Sequence, residues 1–77
     1  MVKIKLFGTL RLKTGFKEME ADITSIKEAW SLLASATNLP TREFKKCIIA
    51  LNGKPCKASV KLSDGDEITL FSPSGGG

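Results

Sequence analysis

Two hydrophobic periods follow one another in the first half of the chain, and together they restrict the fold more than any other feature. Apolar and polar side chains alternate over residues 2–7 and again over 16–23, which is typical of half-buried strands. Over residues 26–33 the apolar spacing becomes that of a one-sided helix. Since a chain of 77 residues supports one core, the pattern predicts a helix packed on a sheet.

The first two strands are predicted to pair as a hairpin. Residues 10–15 lead from one strand to the other, and Gly15 allows the positive φ of a turn. In the second strand Met19, Ala21 and Ile23 share one face, and acidic residues occupy the other. Lysines of the first strand can then face glutamates of the second across an antiparallel pair.

The main helix has a predicted beginning and end. Ser25 and Glu28 form a capping-box pattern immediately before the apolar run. The stripe that should lie on the sheet consists of Ile26, Ala29, Trp30 and Leu33. Pro40 disfavours helix in the residue before it, so the helix should end near residues 37–38.

The later elements are short. A turn of helix is predicted at 41–46, strands at 47–51 and 67–71, and a brief extended piece at 60–62. Asn52 and Gly53 are a strong tight-turn signal after the first of these strands. Because Pro55 cannot donate a ladder hydrogen bond, the return strand should be short or irregular.

This order of elements predicts an α+β protein of the β-grasp, or ubiquitin-like, class. The sheet should be mixed, with four to five strands and one main helix packed across it. We expect the first and last strands to be central and parallel, and the third strand to lie beside the first. Residues 1–71 would form this domain, and residues 72–77 a flexible C-terminal glycine tail that leaves from the centre of the sheet.

The residue inventory argues against a classical enzyme. The chain has no histidine and no tyrosine, so the commonest general base and the commonest metal ligand are missing. Cys47 and Cys56 do not form a CxxC pair, and no zinc site is expected. A disulfide between them is conceivable, but two reduced, mostly packed thiols are favoured. We expect no metal and no cofactor bound by the chain itself.

The formal net charge of +4 raises the question of a nucleic-acid partner. The basic residues are scattered and most aromatic residues occupy core positions, whereas nucleic-acid binders combine a basic stripe with exposed aromatic side chains. A solvated basic surface that suits an acidic protein partner is therefore favoured. No apolar run is long enough to span a membrane, and residues 1–5 do not resemble a signal peptide. The sequence thus predicts a cytoplasmic protein without nucleic-acid or membrane partners.

The glycine-rich end offers one unusual reactive group, a terminal carboxylate. Glycines without Cβ atoms can enter a narrow channel, and the six residues beyond Phe71 can extend about 20 Å. That length would place the carboxylate inside a neighbouring protein's active site. The alternative is an ordinary frayed terminus.

Several motifs, in order and over almost the whole chain, resemble the MoaD/ThiS family of sulfur carriers, and MoaD most closely. The opening residues 2–11 are similar to the MoaD start, and Leu62 to Ile68 to the family's Leu-x-Asp-Gly-Asp-Glu-hydrophobic segment. Asn52 and Gly53 fall at the family's Asn-containing turn. Residues 71–77 match the Phe-x-Pro-x-x-Gly-Gly tail, except that Gly75 gives three glycines in place of two.

The resemblance implies a carrier that is not catalytic alone but is the small subunit of a molybdopterin synthase-type complex. In the family, a ubiquitin-activating-type enzyme (MoeB/ThiF-like) uses ATP to adenylate the terminal glycine. A sulfur donor then forms a thiocarboxylate, and the large subunit of molybdopterin synthase receives the sulfur for the molybdenum or tungsten cofactor. Sulfur carriage for thiazole or cysteine synthesis, and ubiquitin-like protein modification, remain as alternatives.

The resemblance also suggests roles for individual residues. Gly77 would carry the sulfur, and Gly76 would thread the activating enzyme's channel, with Gly75 loosening the tail. Phe71 and Pro73 would support the exit of the tail and contact the partner. Phe7 would belong to an apolar docking patch, or would simply cover the edge of the sheet.

Overall fold

The computed structural model describes residues 1–72, which form a five-stranded mixed sheet with one long helix and two short ones. In chain order the elements are β1 (Val2–Phe7), α1 (Thr9–Thr14), β2 (Glu18–Ala21), α2 (Ile26–Thr37), α3 (Arg42–Lys45), β3 (Ile48–Leu51), β4 (Lys54–Pro55) and β5 (Glu67–Phe71). The predicted architecture, a β-grasp sheet with a helix across it, is confirmed.

The strand order is β2-β1-β5-β3-β4, with β1 and β5 parallel and the other pairs antiparallel. The central, parallel placement of the first and last strands is confirmed. The expectation that the third strand lies beside the first was wrong, because β3 pairs with β5. Strand β1 already has β2 on one edge and β5 on the other, so β3 cannot pair with β1 and pairs with the second edge of β5 instead.

One face of the sheet is closed by α2. Its predicted apolar stripe is buried as expected, and so are the alternate residues of the two central strands. Fully buried side chains of this core include Ile4, Leu6, Ile26, Leu33, Phe44, Ile68 and Leu70. Phe44 reaches the core from α3, the short turn of helix that the sequence predicted.

The capping box of α2 forms as predicted. The Glu28 N–H donates to Ser25 Oγ at 3.2 Å, and Glu28 Oε2 accepts from the backbone N–H groups of Thr24 at 2.6 Å and Ser25 at 3.0 Å. These bonds, with that from the Thr24 backbone first, hold the pKa of Glu28 below its ordinary value. The helix ends at Asn38 in the left-handed conformation, at the predicted position.

The segment between β1 and β2 differs from its prediction. Residues 9–14, which the sequence presented as the approach to a turn, form helix α1. Leu10 is buried in the core, and Gly15 ends the helix with φ 78°, its N–H donating to the Arg11 carbonyl. A helix of 6 residues is too short for its spacing to reveal a helical period.

The second half of the chain follows the prediction closely. Asn52 and Gly53 both have positive φ, as the tight turn between β3 and β4 requires. Strand β4 is only two residues long and contains Pro55. The brief extended piece at 60–62 contributes a single bridge, between Ser25 and Lys61.

Within residues 1–72, no helix has the length and apolarity that crossing a membrane would demand.

Candidate functional site

The sheet face opposite α2 carries charged residues along most of its length. Lys3 lies opposite Glu20 in register and forms an ion pair with Glu18, with 3.7 Å between Nζ and Oε2. Lys5 Nζ lies 3.5 Å from Glu67 Oε1 on the neighbouring β5. The pairing of Lys3 with β2 confirms that lysines of the first strand face glutamates of the second, whereas the contact of Lys5 with Glu67 on β5 was not predicted.

At the carboxyl end of β1 and β5 this open face becomes apolar. Phe7 pairs in register with Phe71, and Phe71 with Ile48 of β3, so the three side chains form one row across the sheet. The two rings stack with centroids 5.5 Å apart and planes 19° apart. Phe7, Phe71 and Ile48 are 42%, 39% and 56% exposed. We call these three residues the apolar row.

Phe7 and Phe71, for which a docking role is predicted, both point away from the core. The docking role itself stays a prediction. Ile48 was not among the predicted site residues. It lies in a continuous apolar run, Ile48 to Leu51, in which periodicity does not distinguish the two faces. Only the pairing of β3 with β5 shows that Ile48 faces outward and Ile49 inward.

Ser72, the first residue after β5, is bound to the start of α1. Its Oγ accepts hydrogen bonds from Thr9 Oγ1–H at 2.8 Å and from the Leu10 N–H at 3.1 Å, and lies 3.3 Å from the Phe7 carbonyl, to which it can donate. Gly8 offers no side chain to cap α1, and Ser72 satisfies the Leu10 N–H in its place. We call this arrangement the Ser72 anchor.

Gly8 is the residue that permits this approach. Its φ of +72° is unfavourable for other residues, and a Cβ at this position would lie 3.1 Å from Ser72 Oγ. The sequence assigned Ser72 to the tail and gave no role to Gly8. A contact between residues 64 positions apart leaves no local signal.

The remaining predicted site residues, Pro73, Gly75, Gly76 and Gly77, lie outside the described residues. The apolar row and the Ser72 anchor surround the point from which residues 73–77 continue. A family model described as "ThiS family" matches residues 4–77 of the chain. The chain belongs to the ThiS family.

Solved structures support this family assignment. The chain is similar to a protein of Helicobacter pylori solved as a "protein-protein complex of subunit 1 and 2 of molybdopterin-converting factor". The two share 27% identity with a TM-score of 0.71, over 99% of this chain and 97% of that one. It is also similar to small archaeal modifier protein 1 of Methanosarcina acetivorans (28% identity, TM-score 0.76, 99% of this chain and 95% of that).

A third structure, the putative molybdopterin converting factor subunit 1 of Pyrococcus furiosus, shares the fold at 23% identity (TM-score 0.77, 94% of this chain and 95% of that). No curated protein sequence matches the chain significantly. The ThiS-family chain thus has the ubiquitin-like fold of sulfur carriers and modifiers of the MoaD/ThiS type, which confirms the resemblance drawn from its motifs.

Beside the Ser72 anchor, the ThiS-family fold has a cleft of about 250 Å³ between α1 and α3. Glu43 lies in it between two cations, 2.9 Å from Lys13 Nζ and 3.5 Å from Lys46 Nζ. The hydrogen bond from Lys13 is the main reason why the pKa of Glu43 is below its ordinary value. Glu43 therefore offsets one of the two positive charges that line this cleft.

The cleft also contains Cys47, a buried thiol whose Sγ lies 3.3 Å from the Glu43 carbonyl. Burial raises the pKa of Cys47, and it also raises that of the half-buried Cys56. Both cysteines are free thiols, as the sequence favoured. A protonated, packed thiol is a poor nucleophile, so this geometry assigns neither cysteine a part in sulfur transfer.

Metal chemistry has no site in the part of the chain that the structure describes: across residues 1–72, no three Cys, Asp or Glu residues are grouped as a metal ion would need.

Proposed function

We propose that the protein is a sulfur carrier in which Gly77, as the terminal residue, bears the sulfur. A ubiquitin-activating-type enzyme would join the Gly77 carboxylate to AMP and release pyrophosphate from ATP. A sulfur donor at the oxidation level of sulfide would then displace AMP and leave a thiocarboxylate. The observation that carries this proposal is that the family match runs through Gly77 and includes all three glycines.

Activation is needed because an oxygen of a free carboxylate is a poor leaving group. Adenylation converts one carboxylate oxygen into part of AMP, which departs readily when sulfur attacks. The chain itself needs no general base for this step, consistent with the absence of histidine from the sequence. Its own contribution is to bind the partner and to orient the tail.

The described residues support that division of work. The apolar row offers half-exposed aromatic side chains directly beside Ser72, from which residues 73–77 continue. Aromatic side chains of this kind are common anchors of protein interfaces. The Ser72 anchor gives residues 73–77 a defined starting point, so a partner bound on the apolar row receives the tail from a constant position.

For the pathway, we propose molybdopterin synthesis, with the sulfur delivered to a partner of the large-subunit type. The similarity to a molybdopterin-converting factor subunit solved together with its second subunit favours this assignment. Two partners follow from it: the adenylating enzyme and the sulfur-accepting subunit. ATP would be a substrate of the former.

The test uses the full chain, the cognate adenylating enzyme, ATP and a sulfide source. We expect the intact mass to rise by the difference between sulfur and oxygen. The matched control is the same chain with Gly77 as its carboxamide, which has equal length but no carboxylate, and its mass should stay unchanged. No gain in the unmodified chain, or an equal gain in the carboxamide, would exclude the carrier function.

Ubiquitin-like modification is the second candidate, because the chain is as similar to a small archaeal modifier protein as to the molybdopterin-converting factor subunit. A modifier would form an isopeptide bond between Gly77 and a lysine of another protein. Peptide mapping after incubation with the same enzyme and a cell extract would detect lysines that carry a C-terminal remnant of the chain ending in Gly77. Such remnants in the absence of thiocarboxylate would favour the modifier.

A further inference from the structure

The two sides of α1 differ in how their positive charges are neutralised. On the side of the cleft, Glu43 pairs with both Lys13 and Lys46. On the other side, Arg11 and Lys17 have no carboxylate within 4 Å among residues 1–72. Two cations without an ion pair among the described residues therefore lie on one side of α1.

Arg11 and Lys17 line two adjoining depressions of the surface, which together form one groove. One depression includes Leu12 and Phe16, and the other includes Lys5. Leu12 is 85% exposed, more than any other large apolar side chain of residues 1–72. We call Lys5, Arg11, Leu12, Phe16 and Lys17 the basic groove. Its one carboxylate, Glu18, lies beside Lys5 and pairs with Lys3 of β1.

The basic groove is continuous with both parts of the candidate site. Phe7 of the apolar row lines it. Gly8 and Thr9 line its other part, and Thr9 donates to Ser72 in the anchor. A protein that covers the apolar row and takes up residues 73–77 would therefore have the basic groove at the margin of its contact.

We propose that the basic groove binds an acidic segment, with at least one apolar side chain, of the protein that takes up the tail. The unpaired cations Arg11 and Lys17 match carboxylates, and Leu12 and Phe16 match the apolar side chain. The aromatic rings that line the groove are the half-buried Phe16 and Phe7, which is already stacked on Phe71. They do not form the row of exposed rings on which successive bases stack, and this favours a polypeptide over a nucleic acid. This inference rests on the proposed function for the identity of the partner.

The first test is an NMR titration of the isotope-labelled full chain with a short peptide of alternating glutamate and leucine. We expect the amide signals of Arg11, Leu12 and Lys17 to shift, and the shifts to fade in high salt, which screens exposed charges. A lysine–leucine peptide should leave these signals unchanged. The proposal is wrong if both peptides act alike, or if oligothymidine shifts the same amides more strongly.

The second test measures adenylation of the Arg11→Glu/Lys17→Glu variant. Its matched control is Lys27→Glu/Lys57→Glu, which changes the net charge equally at exposed lysines outside the groove. We expect the groove variant to raise KM about tenfold with kcat unchanged, and the control to change KM less than about twofold. Thermal unfolding checks that both variants are folded.

The outcomes separate this inference from the proposed function. If adenylation is normal and KM is equal for the groove and control variants, the basic groove does not bind the partner, and the proposed carrier function is unaffected. Peptide binding at the groove without any adenylation or thiocarboxylate in the unmodified chain overturns the carrier function alone. If the acidic peptide shifts none of the groove amides and adenylation also fails, both are wrong.

Discussion

Leu70 and Phe71 are neighbours in β5, yet their side chains lie on opposite faces of the sheet and in opposite environments. Leu70 is fully buried under α2, whereas Phe71 is 39% exposed and stacks on Phe7. Because strand side chains alternate, one short strand can supply the core with one residue and the candidate interface with the next. Stability and partner binding can therefore be changed separately within the same strand.

The polar character of the two faces differs in the same way. Among the described residues, Thr69 is the single buried polar side chain, and no Asp, Glu, Lys or Arg side chain is buried in the core. The ionisable group of the core is the Cys47 thiol, whose pKa is raised by burial. The open face carries the lysine–glutamate pairs and the apolar row. Changes of salt and pH should thus alter the interactions of the open face and of the helix ends, and should hardly alter the packing of the core.

The largest expected effect is that of Leu70→Ala on the closed face. Loss of a fully buried leucine leaves a cavity and should lower the free energy of unfolding by about 2–5 kcal/mol. A chain of this length is stable by only roughly 4–12 kcal/mol. Urea unfolding followed by circular dichroism measures the change. A loss below about 1 kcal/mol would mean that the two faces do not differ as described.

Phe71→Ala should have a smaller effect on folding and a larger one on binding. The half-exposed ring and its stacking on Phe7 account for about 1–2 kcal/mol of the free energy of unfolding. Affinity for the adenylating enzyme should fall about tenfold or more, as at interface aromatic anchors. Calorimetric titration measures the affinity, and Ile48→Ala is the companion variant. Unchanged affinity in both would remove the docking role of the apolar row.

Acid should destabilise the chain through carboxylates outside the core. The pKa of Glu28 is lowered in the folded state, chiefly by the Thr24 backbone N–H, so its stabilisation is present above the unfolded-state pKa and is lost as pH falls through the folded value. Glu28→Gln should therefore flatten the decline of the urea midpoint in acid. An unchanged slope would show that other groups, such as Asp66, whose pKa is also lowered, dominate.

The smallest effect is expected for Lys3→Gln. The ion pair of Lys3 with Glu18 is more than 40% exposed on both sides, and pairs of this kind contribute less than about 1 kcal/mol. The urea midpoint should scarcely move, and addition of salt should remove the remaining difference. Lys27→Gln, on the exposed side of α2, is the control. A clear difference from that control would show that the open face contributes more to stability than its exposure indicates.

Local sequence patterns were sufficient to predict most of the helices, strands and turns of the fold. Ser25 and Glu28 are three residues apart, and the turn at Asn52 and Gly53 depends on those two residues alone, so the sequence predicted both. The helix α1 escaped prediction because six residues are too few to reveal a helical period, and because the Leu10 N–H is capped by Ser72, 62 positions away. The pairing of β3 with β5 is likewise a property of the whole sheet.

The candidate site was predictable only in part, for the same reason. Phe7 and Phe71 could be proposed from strand alternation and from the resemblance. Ile48 lies beside them because of the strand order, and the basic groove depends on the position of α1. Neither property can be predicted from a short segment of sequence.

The Ser72 anchor also sets a length. Five residues follow Ser72, and at full extension they span about 17 Å, compared with about 20 Å had the tail begun directly after Phe71. The volume that lies within this maximal reach is then roughly 60% as large, since volume varies as the cube of reach. An enzyme that acts on residue 77 must therefore place its reacting atoms within about 17 Å of Ser72, which is hydrogen-bonded to the start of α1.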